Sequence, residues 1–224
     1  MYLDTIMYMK KPRRLTRRES RDATRARLIA AAEKIFIRFG FDASSVERIA
    51  EAAGFSRGAF YSNFEDKDEL FIAVLNKRHL AISSALEEIV RGEPNVVRRL
   101  RAVRDWYVSQ EQRKRWVILE TEFNLRAIRN RAVKVRLAEL QRQELETYSA
   151  LVAQHFSRIG RPASGRPGTI ALSLMAIVQG LGRLSLINTD RGARGRFAEA
   201  RNLVFNRLIA IDDGATARIE EAEE

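Results

Sequence analysis

Residues 24–75 read TRARLIAAAEKIFIRFGFDASSVERIAEAAGFSRGAFYSNFEDKDELFIAVL, and the punctuation of this stretch decides the fold. Leu28, Ala31, Ala32, Ile35, Phe36 and Phe39 recur at helical spacing, and Gly40 stands where a helix stops. Asp42, Ser44 and Ser45 offer caps for a second helix, Val46 to Ala53, whose apolar face is Val46, Ile49, Ala50 and Ala53. Gly54 ends it, Phe55 turns inward, and Ser56 caps a third helix running to about Asn63. Phe64 and a charged cluster follow. There Asp66 caps a long fourth helix through Leu70, Phe71, Val74, Leu75, Ile82, Leu86 and Ile89, closed near Gly92.

Three short helices with a glycine turn between the second and third make a helix-turn-helix. Ala50 is small where those two helices approach most closely, and Gly54 supplies the left-handed backbone of the turn without steric cost. Ile49, Phe55, Phe60 and Phe64 are the apolar contacts that lock the crossing. Arg57, Gly58, Tyr61, Ser62 and Asn63 remain for the outer face: hydrogen-bonding side chains plus one residue with none, suited to close approach to DNA. An Ala-x-x-x-Gly spacing alone would suit an ordinary helical corner. A helix of about two turns gains little stability by itself, so this one requires a scaffold to display it.

The longer string is more specific. Residues 24–75 closely resemble, without gaps, the DNA-binding domain of the TetR family of bacterial transcriptional regulators. The resemblance covers roughly the first third of the chain. It is carried by Gly54-Phe55-Ser56-Arg57-Gly58-Ala59-Phe60-Tyr61-Ser62-Asn63-Phe64 and Lys67-Asp68-Glu69-Leu70. The family often has histidine where this chain has Asn63, a departure that bears on which sequence is read.

The resemblance implies roles at matching positions. Ser44 and Ser45 resemble phosphate-contacting caps, although capping alone would explain them. Tyr61 resembles a phosphate-contacting tyrosine, and Lys67 a lysine that meets phosphate where a helix dipole also favours an anion. Arg57, Gly58 and Asn63, with Ser62 beside them, are then the base-edge readers, Arg57 matching guanine and Asn63 adenine. Arg25 is either a backbone contact or a solvated arginine.

Outside this stretch, residues 1–21 read as a basic arm: seven Lys or Arg and one acid lie between Lys10 and Arg21. Such an arm is a solvated tail or a DNA contact. The apolar residues precede the basic ones, the reverse of a secretion signal, and Met7 and Met9 leave the start codon open. Residues 22–66 form the DNA-binding domain, 67–92 the connecting helix, 93–213 a helical ligand-binding and dimerisation domain, and 214–224 an acidic tail. Pro94 opens a helix ending near Gln110; others run from about Lys114 to Ile128, Arg131 to Ile159, Thr169 to Asn188, and through Phe197 to Ile209. The breaker cluster from Gly160 to Gly168 is a loop. With no sustained period-two alternation, the fold class is all-α.

In the helix from Thr169, Ile170, Leu172, Leu174, Ile177, Val178, Leu181, Leu184 and Leu186 cannot all enter one small core. A two-fold dimer through the last two long helices supplies a second buried surface and spaces two recognition helices about one DNA turn (~34 Å) apart. Gly180-Leu181-Gly182 lacks the third glycine and the preceding strand of a nucleotide loop, so close helix packing explains it better. By the family plan, Trp106, Tyr107, Trp116, Phe123, Tyr148, His155, Met175 and Gln179 lie on cavity-lining helices, although for each aromatic a plain core position is the simpler reading. Of these, Trp106, Trp116, Phe123, Tyr148, Met175 and Gln179 are the ligand-binding candidates. With an aromatic and aliphatic wall holding few paired charges, the expected inducer is an apolar or aromatic small molecule.

Composition excludes much else. The 224 residues contain no Cys and two His, which rules out disulfides, thiol catalysis and cysteine-ligated zinc and leaves little for any metal. No Walker A loop, G-x-S-x-G or H-E-x-x-H is present, so neither an enzyme nor a cofactor is expected. Forty Lys and Arg against 29 Asp and Glu give a net charge of +11, pointing to a polyanionic partner. A second basic concentration, Arg91 to Arg142, holds 14 Lys and Arg against 6 acids, as a solvated face or as a field for DNA or an anionic effector. The longest uncharged run, Pro167 to Gly182, is 16 residues, short of the ~20 that span a bilayer, so a cytoplasmic chain without membrane contact is expected. The function that uses every part is a homodimeric repressor released from a palindromic double-stranded DNA operator by an inducer. The alternative is a non-specific architectural DNA-binding protein, which would leave the large apolar second domain without a purpose.

Overall fold

The computed structural model describes residues 16–209 except 96–97, 100, 104–105, 107–112, 161–162, 164, 189 and 191. Among the described residues the secondary structure is helical, with no strand. The acidic tail, most of the basic arm and Tyr107 lie outside the described residues.

Helix α1 (Arg17–Phe39) starts earlier than the sequence reading placed it. Thr16 and Glu19 form a reciprocal capping box, so residues 17–21 belong to a helix rather than to the arm. Leu28, Ala32 and Phe36 form its buried stripe, and Gly40, at φ 82°, ends it. Helix α2 (Val46–Ala52) is capped by Ser45, α3 (Arg57–Tyr61) by Ser56, and α4 (Lys67–Gly92) by Asp66, whose carboxylate accepts from Glu69 N at 2.6 Å. Gly54 holds φ 76° in the α2–α3 turn, and a Cβ there would also stand 3.0 Å from an Arg27 nitrogen. Beyond α4, Pro94 lies outside the helical residues; Asn95 caps the next short turn by accepting from Arg98 N.

Helix α5 (Arg113–Arg129) leads through Asn130, which caps the next helix with its side chain, into α6 (Arg131–Ile159). Gly160, at φ 64°, closes α6 in the left-handed region. Helices α7 (Pro167–Ile187) and α8 (Ala193–Leu208) complete the second half. Gly182 is buried, and a Cβ there would meet Val117 of α5 at 3.1 Å, so this glycine serves close helix packing.

One core crosses the expected domain boundary. Phe36, Phe41, Phe71 and Phe123 pack ring against ring, with centroids 4.3 to 5.5 Å apart, uniting α1, the α1–α2 turn, α4 and α5. Rings at these distances combine large apolar burial with favourable edge-to-face geometry. Helix α4 therefore does not join the two halves alone, because α5 rests directly on the DNA-binding unit.

Helix α7 is longer than the uncharged run within it. At 21 residues it is long and apolar enough to cross a bilayer by length and composition, since the helix continues past Arg183. Ile170 and Ala171 are buried, whereas Leu172, Leu184 and Ile187 are 55%, 50% and 80% exposed, leaving an apolar face uncovered among the described residues.

Candidate nucleic-acid interface

Helix α3 is five residues long and survives because its inner face is anchored. Phe60 is fully buried, with Phe64 beyond the helix end 5.8 Å away ring to ring. Phe55 N donates to Ala50 O at 2.8 Å, and Arg27 donates to Ala53 O while stacking over Phe55. These contacts fix the α2–α3 crossing and so fix what α3 presents outward.

Five of the nine predicted DNA-contacting residues are exposed: Ser45, Arg57, Gly58, Tyr61 and Ser62. Ser45 sits at the α2 N-terminus, its hydroxyl accepting from Arg48 N at 3.2 Å, so the cap and the open amide end share one surface. The Arg57 guanidinium is 3.3 Å from Glu47, in a pair exposed on both sides. Screening by water makes such a pair weak, so Arg57 can exchange Glu47 for a base edge at small cost. Gly58 would give a Cβ no contact closer than Ser56 Oγ at 3.7 Å; its value is access for a ligand. Tyr61 stands edge-on to Phe60 and is 53% exposed, hydroxyl and ring both open to a partner. Ser62 donates to Gly58 O at 2.9 Å.

The other four point elsewhere. Asn63 is 8% exposed and its amide donates to Ala59 O at 2.8 Å, so in this structure it braces α3 from behind. Ser44 is buried, its hydroxyl donating to Gly40 O at 2.6 Å, so only Ser45 of the serine pair is open to phosphate. Lys67 folds back and donates to both Phe41 O and Ser44 O at 2.8 Å, its ammonium 4.3 Å from the centre of the Phe41 ring. Burial pushes the Lys67 pKa down, Asp42 opposing. Arg25 is partly exposed and held in place: it donates to Asn63 O, pairs with Glu69 at 3.1 Å and lies 4.0 Å over Phe64. Lys67 and Arg25 are positioning residues that lock the α1–α2 turn and the α3–α4 turn.

Further exposed cations flank the same elements, three of them from the basic arm and one, Arg48, new to the candidate set. Arg48 lies on α2 with its guanidinium 4.7 Å over Phe39, and Arg17, Arg18 and Arg21 are exposed on the first turns of α1. A stacked arginine keeps its charge, and the signal for Arg48 was its place one turn beyond the Ser45 cap.

In the second half, the six ligand-binding candidates differ in their settings. Phe123 is spent in the four-ring core, and Gln179 is exposed on α7. Trp106 and Met175 are half-buried. Trp116 and Tyr148 are brought into one polar neighbourhood, Trp116 under the Arg78 guanidinium at 4.3 Å and Tyr148 against His79 at 5.4 Å. His155 is buried beside Arg99, whose guanidinium also donates to Glu93 O and Pro94 O beyond the end of α4, a structural use of both residues. Among the described residues, no group of His, Asp and Glu is arranged to hold a metal ion.

A short glycine-turned helix, rigidly backed and exposing Arg, Gly, Tyr and Ser, defines a helix-turn-helix unit of the kind that enters a DNA groove. Residues 28–74 match the family described as bacterial regulatory proteins, tetR family. Over 82 residues the chain is 34% identical to the HTH-type transcriptional activator FasR of Mycolicibacterium smegmatis, covering 37% of each chain. Over 125 residues it is 27% identical to the HTH-type transcriptional repressor AcnR of Corynebacterium efficiens, covering 51% of this chain and 64% of that one. The crystal structure of a transcriptional regulator from Rhodococcus sp. Rha1 superposes with a TM-score of 0.64 at 28% identity, over 83% of this chain and 95% of that one. The chain is thus similar over residues 28–74 to the tetR family, and the relatives it matches are transcriptional regulators. It spans between about a third and two thirds of the length of these two curated relatives.

Proposed function

We propose that this protein is a sequence-specific, homodimeric transcriptional repressor whose hold on a palindromic operator is released by a small molecule bound among α4 to α7. The observation that supports this reading most is the exposed set Ser45, Arg57, Gly58, Tyr61 and Ser62 on a helix pair fixed from behind. Arg57 reads guanine in the major groove, Gly58 permits close approach, and Ser45 and Tyr61 hold phosphate. The uncovered apolar face of α7, with Leu203 of α8 also 62% exposed, supports dimerisation through these two helices.

Release requires a ligand that prefers a conformation with altered separation of the two α3 helices. Helix α4 carries that displacement together with α5, which holds the DNA-binding unit at two points: Glu122 accepts from Phe41 N at 3.2 Å, and Arg126 pairs with Asp68. Repression, rather than activation, follows from occlusion of a promoter by a bound dimer. Enrichment of a random duplex pool on the purified protein at near-physiological salt tests the reading. A two-fold symmetric consensus is expected, and a pool with no consensus would overturn it.

A further inference from the structure

We propose that the polar cluster between α4, α5 and α6 is a binding site for a cationic small molecule, a protonated amine or similar nitrogen cation on an apolar body. The proposal rests on the effector-binding reading above and names the ligand class of that domain. It narrows the expectation of a largely apolar or aromatic inducer to one that carries a positive charge on such a body.

Three helices converge to build the cluster. Arg78 and His79 come from α4, Trp116 and Glu120 from α5, Glu144 and Tyr148 from α6. Arg78 Nε is 3.6 Å from Glu120 Oε1, and its guanidinium covers Trp116, itself only 4% exposed. On the other side, Glu144 Oε1 is 3.5 Å from His79 Nδ1. Two carboxylates thus face one guanidinium. His79 does not balance the second, because burial lowers its pKa and favours the neutral imidazole. An excess carboxylate charge in an enclosed place is costly; at neutral pH a proton relieves it in part, and a bound cation would take that proton's place. Burial, and next the charge of Glu120, push Glu144 up to about 7; burial raises Glu120 too, with Arg78 opposing.

The hydrogen-bonding inventory points the same way. The His79 side chain is 3% exposed, and its Nδ1, facing Glu144, has no hydrogen-bond partner among the described residues. A neutral imidazole protonated on Nε2 offers Nδ1 as an acceptor, and the Glu144 carboxylate is an acceptor too. An ammonium supplies the missing donors, whereas an anionic headgroup would meet two carboxylates. Glu120 and Glu144 keep 35% and 21% of their side-chain surface accessible although burial dominates their ionisation.

Calorimetric titration of the full chain with three probes that share one body reads the headgroup choice: 4-phenylbutylammonium, 4-phenylbutanol and 4-phenylbutanoate. The ammonium is expected to bind about tenfold or more tightly than the carboxylate, the scale of one partly buried charge-assisted hydrogen bond. Glu144→Gln is expected to remove the preference and Glu120→Gln to reduce it. Both are near-isosteric and relieve buried charge, and thermal melts verify that each folds. A carboxylate probe bound as tightly as the ammonium, an ammonium that does not bind, or a preference intact in both variants would each overturn the site. DNA release is read separately. Ammonium binding without release keeps the site and overturns its effector role; equal release by all three probes keeps the effector role and overturns the cation preference.

Discussion

Arg126 closes on Asp68 with two edges of its guanidinium, Nε 2.5 Å from Oδ1 and Nη2 2.9 Å from Oδ2. Beside it, Arg136 of α6 reaches Asp66 at 3.2 Å and Glu65 at 2.5 Å. The first turn of α4, immediately after the reading head, is thereby gripped by the helices of the other half. The α5–α6 corner is thus tied to the DNA-binding unit through Glu65, Asp66 and Asp68.

Asp68→Asn should therefore lower unfolding stability by about 1–2 kcal/mol, a charged hydrogen-bonded pair discounted because Arg126 is 41% exposed. The shift of the urea midpoint measures it. An unchanged midpoint would mean that the pair holds nothing.

The reading head and its supports should separate in mutational tests. Arg57→Ala should flatten the base preference at one position by about 1–3 kcal/mol, and Tyr61→Phe should weaken binding to all sequences alike. Asn63→Ala should instead lower thermal stability and leave base preferences unchanged. Binding-site profiles for the three variants beside the wild type check this; a changed preference in Asn63→Ala would put that residue back on the DNA.

Lys67→Met removes a cation from the protein without removing a phosphate contact. The slope of log affinity against log salt should stay the same, while the melting temperature falls as the carbonyls of Phe41 and Ser44 lose their shared donor. A slope reduced by about one would show that Lys67 meets phosphate after all.

Glu144 gives stability an unusual pH dependence. Its folded pKa of about 7 lies above the unfolded value near 4.5, so between these the folded state binds more protons and its stability falls as pH rises. Arg78 and His79 from α4, Glu120 from α5 and Tyr148 from α6 face this group. Glu144→Gln should be more stable than wild type by roughly 1–3 kcal/mol at pH 8, with the gain vanishing below pH 4.5. Denaturant unfolding at the two pH values measures it, and a constant difference would refute the assignment.

Ile187→Glu together with Leu184→Glu should convert a dimer to a folded monomer, because both side chains are at least half exposed within one chain. Sedimentation velocity with circular dichroism checks mass and helicity together. A dimer that survives both changes would move the interface elsewhere.

The elements were legible in the sequence because their signals are local. Ser45, Ser56 and Asp66 cap where they stand, and Gly40, Gly54 and Gly160 take positive φ at the stops they mark. Side-chain direction was not legible where partners are distant. Lys67 finds its carbonyls 23 and 26 residues away, and Arg25 its partners 38 and 44 residues away. For a lysine at a helix start, an outer phosphate and an inner carbonyl satisfy the same ammonium, and only packing decides. The Arg78, Glu120 and Glu144 cluster comes from three helices, so no spacing along the chain announces it.

The most direct measurement is a footprint of the purified protein on DNA upstream of its own gene, at near-physiological salt with competitor DNA, beside Arg57→Ala. A protected, roughly palindromic stretch with half-sites about one turn (~34 Å) apart, lost or altered in the variant, is the predicted result. Diffuse protection that disappears with modest salt and is the same for both proteins would contradict sequence-specific reading.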